Sequence, residues 1–202
     1  MDRQTRLSDL DDILEEIDLL TINDKPITIY TRTVKEVSGL IDPLMDPLEN
    51  QTLLRLVFVG IIFALEGYLG HVFYKQITSD AKSMRRFFET TPHFKEIKFS
   101  GDQLFTLYEN TSSMAKEVIE KIIWHRIDVA KNLYRDSLGI EFPKNISEVL
   151  KAVVIRHDIV HRNGITKQGD AVVLTPDNVL ALKKAVTKLV HDIDDQVFPM
   201  PF

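Results

Sequence analysis

Apolar residues recur every three or four positions over most of this chain, which is the spacing of helices that bury one face. Residues 49–77 are apolar around most of the helix circumference, which predicts a long helix at the centre of the core. A second long helix is predicted over residues 111–138, with Gly139 as its stop signal. Residues 5–20 predict a short helix with a single apolar stripe, formed by Leu7, Leu10, Ile13, Leu14, Ile17 and Leu20.

Two more helices are predicted in the C-terminal part of the chain. The stretch "FPKNISEVLKAVVIRHDIVHRNG" begins with a capping pattern, Asn145 followed by Glu148, and ends at Gly164. The tripeptide "TPD" at residues 175–177 opens the last helix, which runs to about Val197. Between these helices, "ITKQGDAVVLTPD" is typical of a short hairpin or extended turn with "GD" at its tip.

The N-terminal part is expected to differ from the rest. The segment "KPITIYTRT" is rich in β-branched and aromatic residues and predicts a brief strand. Two prolines in "DPLMDPLEN" suggest a boundary, so residues 1–48 are interpreted as an N-terminal extension with a short helix and a possible strand. Residues 49–202 then form an all-α bundle of four principal helices, in which Ser79 or Asp80 caps an additional short helix.

Composition narrows the class of protein. Hydrophobic residues make up 44% and charged residues 27% of the 202 residues, which suits one soluble domain. The absence of cysteine excludes disulfides, a thiol nucleophile and thiolate metal sites. A net charge of −5 argues against general nucleic-acid binding but leaves room for a small basic cleft.

The sequence features that bear on targeting predict a cytoplasmic protein. The acidic N-terminus is unlike a secretory signal, which would be basic and then apolar. The apolar run over residues 56–65 is too short to span a bilayer and suits a buried helix. We therefore expect a cytoplasmic protein that does not contact a membrane.

The stretch "VIRHDIVHRNG" concentrates ionisable side chains at the end of a predicted helix. Arg156 and His161 are five residues apart, about 140° around the helix. Both project toward its C-terminal end, where they can converge on one small anion. His157 and His161 are four residues apart and share a face.

Three interpretations of this stretch remain open on the residues alone. An imidazole that moves a proton and a guanidinium that stabilises phosphate charge suit metal-free RNA cleavage, in which the 2′-hydroxyl is the nucleophile. "HDIVH" also has the histidine spacing of zinc hydrolases, with His125 or Glu66 as a third ligand. Finally, Arg and His at a helix C-terminus can simply complement the helix dipole.

The stretch "IRHDIVHRNG" resembles the signature of the HEPN superfamily, R-x4-6-H with a polar residue directly after the arginine. Arg156 matches the arginine, His157 the polar residue and His161 the histidine. The run "RHDIVHRNGITKQGDAVVLTPDNVLAL" looks similar to the RiboL-PSP-HEPN type. The resemblance covers roughly residues 50–197.

This resemblance implies a metal-independent endoribonuclease without a cofactor, of the kind found among toxins and antiviral defence effectors. By analogy, His161 is the general acid or base, Arg156 binds the scissile phosphate, and His157 supports either role. The products would be a 2′,3′-cyclic phosphate and a 5′-hydroxyl. The family also implies a homodimer with a composite site, and an antitoxin or regulatory partner. Some members are inactive binding or dimerisation modules, so that alternative stays open.

Four further residues are candidates around the motif. Arg162 and Asn163 follow it directly and could contact RNA, although Asn163 also suits the turn that ends the helix. Glu66 lies on an otherwise apolar helix and needs a partner if it is buried, for which Arg156 is a candidate. Asp158 is a second candidate for supporting the motif from behind.

Overall fold

The computed structural model describes residues 25–98 and 100–199, and the helix predicted over residues 5–20 lies outside them. The regular elements of the described part are helical, which confirms the all-α class. They are α1 (Pro26–Ser38), α2 (Gln51–Ser79), α3 (Ala81–Thr90), α4 (Pro92–Lys95), α5 (Leu104–Glu109), α6 (Thr111–Glu120), α7 (Ile127–Leu133), α8 (Ser147–His161) and α9 (Pro176–Val197). A 3-10 turn, Gly101–Gln103, precedes α5, and a π-helical turn, Tyr134–Leu138, continues α7.

Helix α2 is the centre of the core, as its apolar circumference predicted. Its fully buried side chains include Leu54, Ile61, Ile62, Leu65, Leu69, Val72, Phe73 and Ile77. It is long and apolar enough to cross a membrane by length and composition alone, yet 56% of its most apolar window is buried inside the protein. Helices α1, α3, α8 and α9 pack around it.

The strand predicted for "KPITIYTRT" is wrong, because these residues belong to α1. Pro26 occupies the first turn, where its fixed φ favours a helix. Tyr30, Val34 and Ser38 are buried at intervals of four residues, so burial on one helical face overrides the β-propensity of the sequence. Helix α1 packs on α2 and α9, and the Tyr30 hydroxyl lies 2.9 Å from Thr187 Oγ1. The boundary near residue 48 stays a prediction.

The long helix predicted over residues 111–138 is interrupted, so the four predicted principal helices are not all present as such. Helix α6 ends at Glu120, and residues 121–126 form turns before α7 begins. The turns bring Trp124 against Phe73, with ring centroids 5.4 Å apart, and against Gly70, where a Cβ would lie 3.0 Å from the indole nitrogen. These contacts of the indole are with residues distant in sequence, so the local spacing of apolar residues does not predict them.

Two helix starts and one turn follow the sequence prediction. Asp80 accepts from the backbone nitrogens of Lys82 and Ser83, and a capping box joins Thr175 to Asn178. Residues 165–171 form the predicted turn, closed by an antiparallel bridge between Ile165 and Ala171.

The capping box expected at the start of α8 is not formed. Asn145 Oδ1 instead accepts from Ser147 Oγ at 3.0 Å, and Glu148 pairs with Lys151. Because it pairs with Lys151 on the exposed helix face, the Glu148 carboxylate does not reach back to the backbone nitrogen that a capping box requires.

The C-terminal end of α8 is fixed to the core helix by one arginine. Arg55 of α2 donates from Nε and Nη2 to the Val172 carbonyl, at 3.1 and 2.6 Å. Gly164 lies against the same guanidinium with a φ of +77°, and a Cβ there would sit 2.5 Å from Arg55 Nη1. The Gly164 nitrogen donates to the Asp158 carbonyl at 3.0 Å, which ends the helix. The absence of a side chain at Gly164 also leaves room for the Arg55 guanidinium.

We expect Gly164→Ala to lower the free energy of unfolding by at least about 1–2 kcal/mol, because an L-residue in the left-handed region is strained. The displaced guanidinium adds to this cost. Urea denaturation measures the effect. Gly101→Ala is the control, since its Cβ would meet nothing within 4 Å. Equal stability of the two variants would contradict the role assigned to Gly164.

Candidate functional site

Arg156 and His161 converge at the end of α8, as the sequence predicted. Arg156 Nη1 lies 3.5 Å from His161 Nε2, within reach of a hydrogen bond. The arginine side chain is only 16% exposed, whereas His161 is exposed. The pair therefore combines a largely covered guanidinium with a solvent-exposed imidazole.

Glu66 of α2 holds the buried side of this arrangement. Its Oε1 lies 3.6 Å from Arg156 Nη2, and its Oε2 lies 3.2 Å from His125 Nδ1. The pairing with Arg156 was anticipated from the need of a lone carboxylate on an apolar helix for a partner. The contact with His125 was not anticipated, because the position of this histidine depends on the turns at residues 121–126.

Neither contact of Glu66 is a well-formed hydrogen bond. Within the described part of the chain, Arg156 Nε, Glu66 Oε1 and His125 Nδ1 are buried and make no hydrogen bond that meets the geometric criteria. Buried donors without hydrogen-bonding partners are costly, and functional sites are where such costs are commonly found. The Nε donor of the Arg156 guanidinium is therefore left unpaired in the protein interior.

His157 stands next to His161 on the exposed face of α8. The two ring centroids are 4.7 Å apart, with the ring planes inclined at 45°. Desolvation, followed by the positive charge of Arg162, lowers the pKa of His157 below its ordinary value. At neutral pH His157 is therefore uncharged and able to accept a proton or a hydrogen bond.

Asp158, Arg162 and Asn163 lie at the C-terminal end of α8. Asp158 is buried and pairs with Arg162, and its backbone carbonyl accepts from the nitrogens of Arg162 and Gly164. Asn163 adopts a left-handed conformation with φ of 54°. Asp158 thus orients Arg162 beside the histidines, while the contacts of Arg162 and Asn163 with a substrate stay predictions.

The metal-binding interpretation requires a third ligand beside His157 and His161. Within residues 25–98 and 100–199, no group of three or more His, Asp or Glu side chains is arranged to hold a metal ion. The proposed third ligands, Glu66 and His125, contact each other instead. The third ligand that the metal-binding interpretation requires is therefore not in place among the described residues.

The chemistry available at this site follows from its groups. The His161 imidazole is exposed and can act as a hydrogen-bond donor or acceptor. A guanidinium within 3.5 Å of it offers a planar set of donors to phosphate oxygens. Together they form a small site suited to a phosphodiester.

Comparison with known proteins identifies the family. The model of the RiboL-PSP-HEPN family matches residues 6–198, and the chain belongs to this family. HEPN domains are often ribonucleases, so membership associates the chain with nuclease or RNA-related functions. Searches of curated proteins and of solved structures found no match.

We expect Glu66→Gln to lower the free energy of unfolding by about 1–3 kcal/mol, because Arg156 loses its carboxylate partner in a largely buried position. Chemical denaturation measures the change. Glu89→Gln is the matched control, since Glu89 pairs with Arg85 on an exposed surface and its loss should leave stability unchanged. A Glu66 variant as stable as the control would show that the ion pair is not needed for the fold.

Proposed function

We propose that this protein is a metal-independent endoribonuclease whose active site is the Arg156–His161 pair. The observation that carries the proposal is the 3.5 Å approach of Arg156 Nη1 to His161 Nε2 at an open helix end. Glu66 supports it by holding the guanidinium from behind. Membership of a family whose domains are often ribonucleases points in the same direction.

The proposed reaction needs only groups that the chain and the RNA supply. The ribose 2′-oxygen attacks the adjacent phosphorus, the bond from phosphorus to the 5′-oxygen breaks, and the 5′-oxygen leaves with a proton. A 2′,3′-cyclic phosphate and a 5′-hydroxyl result. His161 moves the proton, Arg156 stabilises the charge that develops on the phosphate oxygens, and His157 supports proton transfer.

The proposed assembly is a homodimer in which two Arg156–His161 pairs share one cleft. Two copies of His161 then provide one imidazole to accept the 2′-hydroxyl proton and another to protonate the leaving oxygen. In this proposal the protein acts in the cytoplasm as a toxin or antiviral defence effector. An antitoxin or regulatory protein would control it.

We expect His161→Ala to reduce cleavage of total RNA about 100-fold or more, because proton transfer by a positioned side chain contributes at least that much. Arg156→Lys should cause a loss of similar size, since lysine keeps the charge but lacks the planar set of donors. The assay contains EDTA, and analysis of the fragment ends should find cyclic phosphates.

The matched control is His191→Ala, which removes an exposed histidine of α9. It should cleave RNA at the wild-type rate. Cleavage by both site variants at the wild-type rate would refute the proposed site. Absence of cleavage by the folded wild-type protein would favour a binding or dimerisation module.

A second expectation concerns assembly. The protein should sediment with twice the 23.2 kDa mass of the chain, and its activity per chain should fall on dilution below the dimer dissociation constant. Both follow because a composite site exists only in the dimer. Analytical ultracentrifugation and RNA cleavage over the same concentration series measure them. Full activity per chain in a monomeric sample would contradict the composite site.

A further inference from the structure

The carboxylate of Glu66 has a neighbour on each of its two oxygens. Oε1 lies 3.6 Å from Arg156 Nη2, and Oε2 lies 3.2 Å from His125 Nδ1. The three side chains are between 16% and 23% exposed, so water has little access to the contacts between them. The last torsion of a glutamate side chain has only broad preferences of its own. The contact at Oε2 therefore restricts the direction in which Oε1 faces Arg156.

His125 is itself held in place by its neighbours in the chain. The Trp124 indole packs on Gly70, one helical turn beyond Glu66 on α2, where a Cβ would lie 3.0 Å from the indole nitrogen. On the other side, the Ile127 nitrogen donates to the His125 carbonyl at 2.9 Å, and Ile127 is buried at the start of α7. His125 therefore approaches Glu66 from a backbone that is anchored in the core on both sides.

The guanidinium of Arg156 carries this orientation to the exposed side of the site. Its Nη2 faces Glu66 Oε1, while its Nη1 lies 3.5 Å from His161 Nε2. Because the guanidinium is planar and rigid, a displacement of Nη2 also displaces Nη1. The contacts therefore run without a gap from the turns before α7 to the exposed imidazole of His161.

We propose that His125 is a positioning residue for the RNA cleavage proposed above, and the proposal rests on that function. The carboxylate favours the form of the ring that carries a hydrogen on Nδ1. This hydrogen keeps Oε2 of Glu66 on the His125 side and Oε1 turned toward Arg156. His125 thereby fixes the donors that Arg156 offers to the scissile phosphate, although it lies far from both motif residues in the sequence.

Two substitutions of His125 separate the Nδ1 contact from the volume of the side chain. His125→Leu keeps a side chain of similar size but has no hydrogen to present to Glu66. His125→Asn is smaller, and its amide nitrogen is as many bonds from the backbone as Nδ1, so it restores the contact. Cleavage of one RNA oligonucleotide in EDTA gives kcat and KM for each variant. The matched control is His191→Leu, at an exposed histidine of α9.

We expect His125→Leu to lower kcat by about tenfold or more, because a displacement of about 1 Å at a reacting group can lower a rate about 100-fold. KM should change less than kcat, since a misplaced Arg156 still attracts phosphate by its charge. His125→Asn should recover most of the lost kcat, and His191→Leu should match the wild type. When Glu66→Gln is already present, His125→Leu should cause no further loss, because both changes interrupt the same series of contacts.

Three kinetic results would overturn the positioning role: a wild-type kcat in folded His125→Leu, an equal loss of kcat in His125→Asn, or losses that multiply when Glu66→Gln is combined with His125→Leu. Circular dichroism checks the fold of each variant. If the leucine variant does not fold, His125→Ala takes its place, since it removes the hydrogen on Nδ1 without adding volume.

A second measurement does not depend on cleavage. The Nε–H group of Arg156 is buried and has no hydrogen-bonding partner among the described residues, so its nuclear magnetic resonance signal reports the surroundings of the guanidinium. Arg156→Lys assigns the signal by removing it. His125→Leu should shift the signal and His191→Leu should not, and an unshifted signal in His125→Leu overturns the proposal. If the wild-type protein cleaves no RNA, the proposed function fails, whereas the signal still reports whether His125 orients Arg156.

Discussion

The structure depends on one carboxylate placed in an apolar helix. Glu66 is the only acidic residue of α2, and its two oxygens approach Arg156 of α8 and His125 of the turns before α7. A carboxylate in this position needs a cation such as Arg156, because its burial alone would be unfavourable. The core helix thereby fixes where the guanidinium lies, and the turns at residues 121–126 are held at the same point.

The position of the arginine differs from that of the two histidines in a way that suits phosphate chemistry. Arg156 is fixed from behind and largely covered, while His157 and His161 stand in solvent on the last turn of the helix. A fixed donor set provides charge stabilisation without reorganisation. The roles proposed for Arg156 and His161 therefore correspond to the different burial of these two neighbouring groups.

Much of the fold could be predicted because its signals are local. The apolar circumference of α2, Asp80 at the start of α3, and the "TPD" sequence before α9 each act within a few residues. Helix α1 was missed because its identity as a helix is decided by packing of Tyr30 and Val34 on distant elements. The interruption at residues 121–126 was missed for the same reason, since Trp124 and His125 find their partners on α2.

The approach of Arg156 to His161 could be predicted, because both lie near the end of one helix, whereas their catalytic roles stay a proposal. The connection between the end of α8 and the hairpin at residues 165–171 could not be predicted. Arg55 donates hydrogen bonds to the Val172 carbonyl, a backbone group that every residue type at that position would provide. Side chains along the exposed hairpin can therefore change without loosening the end of α8. A surface that tolerates such variation beside the fixed Arg156–His161 pair would, in the proposed enzyme, be well placed to set which RNA sequences are preferred.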